Sequence, residues 1–503
     1  MARSTKGIFG KLGLQESVNK KPIDVIFIDP PTTISLQYKA ANKKMPDNLP
    51  NLGICILAAV LERAGYGVAI IDAAAIQNTY QEVLDSVLAM NPKYVGLTAM
   101  THTISSAATI ARMIKEKRPD IKVILGGVHV TSTPEETLKK HGRWFDVAVI
   151  GEGEKTILEL LGVLAGKKNL AEVAGLVFLQ DDQFVRTKPR EIIMDMDSLP
   201  FPAWHLLPDM TKYYRPHLIS AGGSTSNHLL TSRGCPGKCI FCDTSVNGHR
   251  VRGYSADYVL EMVEILHKKY NISDIQFNDD TFVTLRKRLF EICDKLARKN
   301  YKLTWSCDAR ASDVSKEGLA LMKKSGCWQI AYGVETGSQR VMDFLQKRVT
   351  FEQIKNAFRW TKMVGISTKG FFILGHPTET HESIQETINL ILGLDVDVIG
   401  VTFFTVFPGS PIYSTIREYG LFDPDWDRTD CYTIGNFIPN GFMAEELIRI
   451  RQQALKRFYF RPKYMLRQLL SVKSSFQLFK LILGGWKILS KRIANVYSFK
   501  SKF

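Results

Sequence analysis

The sequence is poor in cysteine and has no long uninterrupted apolar run. Its 503 residues include eight cysteines, too few for a disulfide scaffold, so nothing indicates an oxidising compartment. The best apolar run, 390–407, is broken by Asp395 and Asp397, and no stretch of about 18 apolar residues is left to span a membrane. The basic segment 1–21 lacks an apolar core of signal-peptide length. These absences predict a cytoplasmic protein without a spanning helix.

The motifs of two common nucleotide-binding classes are also missing. No G-x-G-x-x-G follows the first predicted strand, so a nicotinamide or flavin site is not supported, and the chain has no P-loop. The content of 45% hydrophobic and 23% charged residues is nevertheless that of an ordinary folded protein. At this length the chain has room for two or three domains.

Three of the cysteines stand close together in the segment 233–243, with the spacing C-x3-C-x2-C. Three thiolates can bind three irons of a [4Fe–4S] cluster and leave the fourth iron open to a small molecule. Gly234 and the Pro-Gly pair that follows suit a tight loop around such a cluster. A structural zinc site would need a fourth ligand, and none follows at zinc-finger spacing. The sequence therefore predicts a [4Fe–4S] cluster bound by Cys235, Cys239 and Cys242.

The N-terminal part, residues 22–185, alternates short β-branched apolar runs with helical patterns. This alternation predicts a parallel, doubly wound α/β sheet of Rossmann-like type. In such sheets, ligands bind beyond the carboxyl ends of the strands. The predicted strands are 23–28, 68–71, 94–97, 123–125 and 147–150, and the predicted helices are 52–64, 80–90, 107–117 and 134–140.

Residues 222–430 repeat a strand–helix unit six times. This repetition predicts a partial (β/α)6 TIM barrel, with reacting groups at the carboxyl ends of its strands. Residues 186–221 are predicted to be a linker, and residues 431–503 a helical C-terminal region with a helix at 451–467. The predicted strands are 228–232, 274–278, 303–308, 329–334, 370–374 and 398–405, and the predicted helices are 256–269, 285–299, 316–323 and 351–364.

The cysteine spacing, with the aromatic Phe241 before the last cysteine, resembles the signature of the radical S-adenosylmethionine (SAM) superfamily. The N-terminal part resembles the cobalamin-binding domain that precedes many radical SAM domains. On both grounds, residues 22–430 are identified as a member of the cobalamin-binding radical SAM family, similar to its class B methylases. The layout also resembles anaerobic magnesium-protoporphyrin monomethyl ester cyclases and hopanoid methylases. The N-terminal pieces that match are Pro-x-Leu52-Gly53, Asp72 ending the second strand, Gly126-Gly127-x-His129 and Gly151-Glu152-Gly153-Glu154.

The resemblance implies that SAM binds the open iron through its amino and carboxylate groups and is cleaved to a 5′-deoxyadenosyl radical. It implies a contact to the SAM amino group near Asp279 and Asp280, which also suits an ammonium group electrostatically. A helix-capping role stays open for either aspartate. Arg310 is expected to pair with the SAM carboxylate, and Glu335 to accept hydrogen bonds from the ribose hydroxyls. The implied SAM site comprises Phe241, Asp279, Asp280, Arg310, Glu335, Gly375 and Pro408.

The resemblance also implies cobalamin at the strand ends of the N-terminal domain, where glycines let a flat macrocycle lie against the backbone. The D-x-H-x-x-G signature, which supplies a histidine below the cobalt, is absent. Cobalamin is therefore expected without a protein histidine ligand, and His129 is expected to line the pocket or to bond backbone. A domain that has kept this fold and lost the ligand is the alternative. The implied site comprises Leu52, Gly53, Thr98, Gly126, Gly127, His129, Gly151, Glu152 and Gly153.

The net charge of +16 is concentrated in the C-terminal tail. Residues 461–503 carry ten Lys or Arg and no Asp or Glu, with apolar residues at helical spacing and lysines on another face. This pattern is typical of a basic amphipathic helix in a membrane interface, so we predict peripheral contact with the inner face of a membrane. A helix packed on the barrel with a solvated basic face is the alternative. No nucleic-acid partner is expected.

Together these resemblances predict an enzyme that methylates an unactivated carbon of a small apolar or amphiphilic substrate, a lipid or a tetrapyrrole. Cofactors are needed because no side chain can abstract such a hydrogen, and an external low-potential electron donor of the flavodoxin or ferredoxin type must supply electrons. Ring closure or oxidation on the same fold is the main alternative. A tRNA methylthiotransferase would need three further N-terminal cluster cysteines, and this chain has only Cys55 there. A non-enzymatic cobalamin or redox sensor would leave the SAM site unused.

Overall fold

The computed structural model describes residues 21–40, 48–166, 169–214, 225–299, 301–429 and 434–471. The N-terminal sheet consists of β1 (Val25–Asp29), β2 (Val68–Asp72), β3 (Tyr94–Thr98), β4 (Lys122–Gly126), β5 (Val147–Val149), β6 (Leu176–Gln180) and β7 (Gln183–Arg186). The strand order is β2-β1-β3-β4-β5-β6-β7. Strands β1 to β5 are parallel, which confirms the predicted Rossmann-like sheet.

Helices flank this sheet on both faces. They are α1 (Thr33–Ala40), α2 (Leu52–Arg63), α3 (Tyr80–Met90), α4 (Ile104–Lys117), α5 (Val128–Ser132), α6 (Pro134–His141) and α7 (Glu154–Ala165). Val25 and Phe27 belong to the core formed with α2 and α7, whereas Ile26 and Ile28 belong to the core formed with α4. Because successive strand residues enter opposite cores, the strands read as continuous apolar runs.

The antiparallel hairpin of β6 and β7 was not predicted from the sequence. Its two-residue turn consists of Asp181 and Asp182, both with positive φ (49° and 60°). That conformation is typical of the tight turns that join antiparallel strands, and aspartate tolerates it better than most residues. The Asp-Asp pair between two apolar runs could have indicated this hairpin in the sequence.

The second sheet forms the predicted partial barrel. Its strands are β8 (Ser226–Leu229), β11 (Asp274–Phe277), β12 (Thr304–Ala309), β13 (Cys327–Glu335), β14 (Ser367–Leu374) and β15 (Val398–Phe403). The short strands β9 (Ser232–Arg233) and β10 (Arg252–Gly253) form a separate antiparallel pair. The order is β15-β14-β13-β12-β11-β8, with every pair parallel. The first predicted strand, 228–232, is wrong in its bounds, because β8 ends at Leu229 and Ser232 pairs separately with β10.

The remaining helices lie before, between and after the barrel strands along the chain. They are α8 (Met210–Tyr213), α9 (Ala256–Tyr270), α10 (Arg286–Lys299), α11 (Lys316–Lys324), α12 (Gln339–Phe344), α13 (Phe351–Met363), α14 (His381–Gly393), α15 (Ala444–Tyr459) and α16 (Pro462–Ser471). A small antiparallel pair, β16 (Gly420–Phe422) and β17 (Phe437–Pro439), lies between β15 and α15. Within the described residues no helix is long and apolar enough to cross a membrane.

The segment predicted as a linker is packed over its described part. Trp204, Leu206 and Tyr214 are buried. The Ala203 amide donates to the Cys55 carbonyl of α2, and the ring of Trp204 lies edge-on to Tyr270 of α9. The segment therefore joins the cores of both domains into one.

The C-terminal region begins with two helices rather than the single helix predicted at 451–467. Helix α15 ends at Tyr459 and α16 begins at Pro462, because proline lacks the amide hydrogen that a continuous helix requires and is well suited to a first turn. Leu447 and Phe458 of α15 are buried against the barrel. The amphipathic pattern predicted beyond Ser471 lies outside the described residues.

Asp274 links four strands at the base of the barrel. Its buried carboxylate accepts hydrogen bonds from Ser226 Oγ at 3.0 Å, Thr304 Oγ1 at 2.6 Å and Trp328 Nε1 at 3.0 Å. We expect Asp274→Ala to lower the free energy of unfolding by about 2–4 kcal/mol, because three donors would lose their acceptor. Urea unfolding followed by circular dichroism measures the loss. A loss under about 1 kcal/mol would contradict this role for Asp274.

Candidate active site

The three predicted cluster cysteines lie on a loop, residues 234–243, that follows β9. Gly234 has φ +91°, and a Cβ there would lie 2.4 Å from the Arg250 carbonyl oxygen, so only glycine fits. Gly237 packs against the thiols, since a Cβ there would lie 3.4 Å from Cys235 Sγ and 3.8 Å from Cys239 Sγ. The loop backbone thus curves around its own sulfur atoms, as a cluster-binding loop must.

A single metal ion and an iron–sulfur cluster make different demands on the three cysteines. In the described part of the chain, no group of three Cys, His, Asp or Glu is placed to hold one metal ion. A [4Fe–4S] cluster makes a different demand, because each thiolate binds a different iron. Partial burial raises the pKa of Cys239, so iron binding must release its proton.

Asp279 and Asp280, predicted as a pair, have different environments. Asp279 is buried, and its carboxylate accepts hydrogen bonds from the Thr231 amide at 2.5 Å, Thr231 Oγ1 at 2.7 Å and Ser232 Oγ at 2.6 Å. Both carboxylate oxygens therefore hold the chain that leads into the cluster loop. Asp280 is exposed and lines the cavity described below. The geometry favours Asp280 for the predicted contact with SAM and assigns Asp279 to support of the loop.

Glu335 ends β13 with φ +68°, a left-handed conformation that glutamate rarely adopts. Its Oε1 accepts a hydrogen bond from Lys347 Nζ at 2.5 Å, and both side chains are largely buried. Burial opposes the charge of Lys347, but Glu335 and the thiols of Cys239 and Cys242 raise its pKa. This cation beside the cluster loop was missed in the sequence. The sequence could have indicated it only through the presence of a basic residue shortly after α12, the helix that follows Glu335.

The remaining predicted SAM residues differ in their position relative to the cluster loop. The positive charge of Arg310 lowers the pKa of Cys239, whereas burial raises it. Phe241 lies edge-on to Phe404, with ring centroids 6.5 Å apart. Pro408 precedes Gly409, where a Cβ would lie 2.2 Å from Asp243 Oδ1. The turn at Gly375, with φ +81°, instead faces α15, since a Cβ there would meet Leu447 at 3.4 Å.

A cavity of about 260 Å³ lies between the two domains, beside the start of the cluster loop. Seven of the nine residues predicted to bind cobalamin line it: Gly53, Thr98, Gly126, Gly127, Gly151, Glu152 and Gly153. The turns after β4 and β5 therefore meet at one opening. Glycine is required at Gly127, whose φ is +103° and where a Cβ would lie 2.6 Å from the Ala99 carbonyl oxygen.

Two of the predicted cobalamin residues do not line this cavity. Leu52 is the first residue of α2 and is buried in the core. His129 is buried with its ring edge-on to Trp426, at a centroid distance of 5.9 Å, and its Nδ1 lies 3.5 Å from Thr101 Oγ1. Burial lowers the pKa of His129 to about 4, so the imidazole is neutral at physiological pH.

The two ends of the cavity differ in character. The N-terminal domain contributes an apolar recess at Phe27, Ile54, Leu57, Ile124, Val149 and Ile157, and the barrel domain contributes Leu230, Ser232, Arg233, Val246, Asn247, Tyr254 and Asp280. Apart from Asp280, sequence patterns did not single out these residues as ligand contacts. These residues fit a corrin, because glycine backbone borders the cavity and an apolar recess adjoins it.

Glu152 lines the cavity, but its carboxylate is used in ion pairs. Its Oε1 accepts from Arg233 and Arg252, both at 2.8 Å, and its Oε2 accepts the Ile193 amide at 2.6 Å. Glu154 makes a second ion pair with Arg233. Despite burial, Arg233 and these hydrogen bonds lower the pKa of Glu152. The Gly-Glu-Gly-Glu turn thus binds the barrel domain through its side chains and leaves its glycine backbone to the cavity.

Comparisons with known proteins agree with this arrangement. The sequence model of the B12 binding domain matches residues 38–161, and that of the Radical SAM superfamily matches residues 229–391. An uncharacterized methyltransferase of Pyrococcus horikoshii is 31% identical over 453 residues, covering 89% of this chain and 95% of that protein. The anaerobic magnesium-protoporphyrin IX monomethyl ester cyclase of Rubrivivax gelatinosus is 28% identical over 402 residues, covering 78% of this chain and 70% of that protein.

Two solved structures share the fold. The radical SAM methyltransferase TsrM of Kitasatospora setae, solved with cobalamin and a [4Fe–4S] cluster, superposes with a TM-score of 0.64 at 19% identity, covering 79% of this chain and 78% of that one. The cobalamin-dependent radical enzyme OxsB, solved with aqua-cobalamin and SAM, superposes with a TM-score of 0.72 at 19% identity, covering 92% of this chain and 71% of that one.

The adjacent aspartates provide a matched pair of variants. We expect Asp279→Asn to lower iron and sulfide content after anaerobic reconstitution about fivefold or more, because loss of charged hydrogen bonds to Thr231 and Ser232 costs about 1.5–3 kcal/mol. Asp280→Asn should keep the cluster and weaken SAM binding. Iron and labile-sulfide assays with SAM titration measure both effects. Equal iron content in the two variants would contradict the assignment of Asp279.

Proposed function

The chain belongs to the cobalamin-dependent radical SAM enzyme family, and from this premise we propose that it methylates an unactivated carbon of a small apolar or amphiphilic molecule. The observation that carries the proposal is a cavity lined by both domains. The glycine turns of the B12-binding domain form one side, and Arg233 and Asp280, next to the cluster loop, lie on the other. A reactant held there would be in reach of both cofactor sites.

The chain supplies ligands and charge for SAM and its cluster. Cys235, Cys239 and Cys242 would bind three irons, leaving one iron for the amino acid end of SAM. We propose that Lys347 and Arg310 bind the SAM carboxylate, because both cations lie beside Cys239 and carboxylates are bound well by charged donors. Glu335 remains suited to the ribose hydroxyls while it holds Lys347 in position.

The N-terminal domain would hold the corrin by shape. The backbone at Gly126, Gly127 and Gly151 borders the cavity without side chains, so a flat ring can approach it closely. The apolar recess beneath excludes water from whatever part of the cofactor enters it. When bound, cobalamin and the reduced cluster with SAM supply a transferable methyl group and a hydrogen-abstracting radical.

An apolar or amphiphilic substrate is supported by the cavity wall on the barrel side. Leu230, Val246 and Tyr254 line it together with the polar Asn247 and Asp280. We further propose peripheral membrane contact through residues 461–503 on the cytoplasmic side, on the strength of their sequence pattern. Arg461 and Arg467 are not available for lipid, since they bind the Leu392 carbonyl and Asp395; the lysines beyond them would make the contact.

Reduction of the cluster requires an external electron donor, which we propose to be a low-potential redox protein of the flavodoxin or ferredoxin type. Lys238 and Arg250 are exposed near the start of the cluster loop. Their charge suits an acidic partner, since complementary charge speeds encounter between proteins.

Ring closure or oxidation is the second candidate, favoured by the similarity to magnesium-protoporphyrin cyclases. The two reactions differ in the fate of the SAM methyl group. With SAM labelled in its methyl carbon, we expect the label in the organic product of the reconstituted enzyme, found by mass spectrometry of incubated cell extract. Turnover of the substrate with no label in any product would eliminate methylation and leave the second candidate.

The cluster assignment has its own test. We expect Cys239→Ala to lose the cluster and all formation of 5′-deoxyadenosine, because two thiolates do not hold the [4Fe–4S] unit. Cobalamin binding should persist, since the glycine turns at the cavity belong to the other domain. Cys55→Ala is the matched control, because its thiol is buried in the N-terminal core and should leave the cluster intact. Deoxyadenosine formation by Cys239→Ala would refute the assignment.

A further inference from the structure

Both ends of the cluster loop are fastened to the B12-binding domain. Arg233 directly precedes the loop, and Asp243 directly follows Cys242. Each side chain contacts the N-terminal domain across the cavity region, at sequence separations of 79 to 111 residues. The loop that carries the cysteines therefore belongs to the barrel in sequence but is held by the other domain at both of its ends.

The contacts before the loop form an entry clamp, which consists of Arg233, Glu152 and Glu154. Arg233 Nη1 donates to Glu152 Oε1 at 2.8 Å, while Nη2 binds Glu154. The side chains of Arg233, Glu152 and Glu154 are 16%, 2% and 7% exposed, so water screens these charges poorly. Arg252, paired with Arg233 across β9 and β10, adds a further bond to Glu152.

The contacts after the loop form an exit clamp, which consists of Asp243 and Ser132. Ser132 Oγ lies 2.5 Å from Asp243 Oδ2, and it also contacts Ser245 Oγ at 2.8 Å. Asp243 Oδ1 accepts the Ser245 amide at 2.9 Å. Gly409 lies against the same carboxylate, where a Cβ would overlap it, so glycine at this position leaves room for Asp243.

The two clamps are connected inside the N-terminal domain. The Gly151 amide, at the start of the turn with Glu152 and Glu154, donates to Thr131 Oγ1 at 3.1 Å. Thr131 precedes Ser132 at the end of α5. The turns that hold the loop are therefore the turns after β4 and β5, whose glycines border the cavity.

We propose that Arg233, Glu152, Glu154, Asp243 and Ser132 are positioning residues that set the distance between the [4Fe–4S] cluster and the corrin. The proposal rests on the proposed function, because it requires both cofactors to act on one reactant. Buried ion pairs add little net stability, but they hold a fixed geometry. Separating the partners would leave an unpaired charge in the interior, which is costly. Small displacements of reacting groups can cost about a hundredfold in rate.

The test compares Ser132→Ala, Glu154→Gln and their double variant with the wild-type holoenzyme, reconstituted with cobalamin and iron–sulfur cluster. Glu264→Gln is the matched control, because it breaks an exposed ion pair with Lys268 on α9. The first measurement is the magnetic dipolar interaction between cob(II)alamin and the reduced cluster, read from electron paramagnetic resonance relaxation. We expect a changed or broadened distance in the double variant and none in the control.

The second measurement separates the two uses of SAM without any substrate. S-adenosylhomocysteine reports methyl transfer toward the corrin, and 5′-deoxyadenosine reports cleavage at the cluster. We expect S-adenosylhomocysteine to fall about tenfold in each single variant and about a hundredfold in the double variant. Deoxyadenosine should stay within about twofold of wild type, because the cluster and its SAM contacts are unchanged.

Unchanged dipolar distance and unchanged product ratio in the double variant would overturn the proposal. A parallel fall of both products together with iron content would also overturn it, since the clamps would then only keep the loop folded. Failure of the wild-type enzyme to form S-adenosylhomocysteine would instead count against the proposed methylation. The dipolar distance would still decide the role of the clamps in that case.

Discussion

The buried ion pairs of Glu152 and Glu154 with Arg233 and Arg252 are the constraint on which the rest of the site depends. Four charges removed from water are costly unless every one is paired and hydrogen-bonded. The pairing joins a turn after β5 of one sheet to the strands β9 and β10 beside the other. A partly separated arrangement of the domains would strand at least one charge, so the joined arrangement is strongly preferred over intermediate ones.

This constraint explains how the chain divides its work. The B12-binding domain presents glycine backbone and apolar side chains to the cavity, and it uses the carboxylates of Glu152 and Glu154 to hold the barrel. The barrel contributes Arg233 and Asp280 to the cavity, and it carries the thiols, with Lys347 and Glu335 paired beside them. Neither domain encloses the cavity alone. The cavity therefore exists only where the two domains meet, and its shape depends on the contacts that hold them together.

Sequence patterns predicted the two sheets well, and they singled out the three closely spaced cysteines, because both features depend on local spacing. Strand–helix alternation is visible in any window of a few residues, and the three cysteines lie within eight positions. The pairing of Glu152 with Arg233 spans 81 residues, and no local pattern indicates such a contact. The resemblance pointed to a turn that lines the cavity, but it could not tell that the glutamates of this turn are paired with arginines.

The difference between Asp279 and Asp280 shows a second limit of local patterns. Adjacent residues after a strand point in different directions, so one carboxylate is buried beneath Thr231 and Ser232 while the next is exposed at the cavity. A motif names both residues without distinguishing them. Lys347 was not predicted from the sequence for a related reason, since its role depends on its closeness in space to Glu335 and the thiols.

The packed segment that contains Trp204 has a consequence for synthesis of the chain. Ala203 bonds to Cys55 in the N-terminal domain, while the ring of Trp204 contacts Tyr270 of α9. As the chain leaves the ribosome, the N-terminal sheet can form before Tyr270 exists, and one apolar side of this segment then stays uncovered. Nascent chains with such exposed surface are the usual clients of chaperones. The interface, and with it the cavity, can therefore be completed only after the barrel has been synthesised and Tyr270 packs against Trp204.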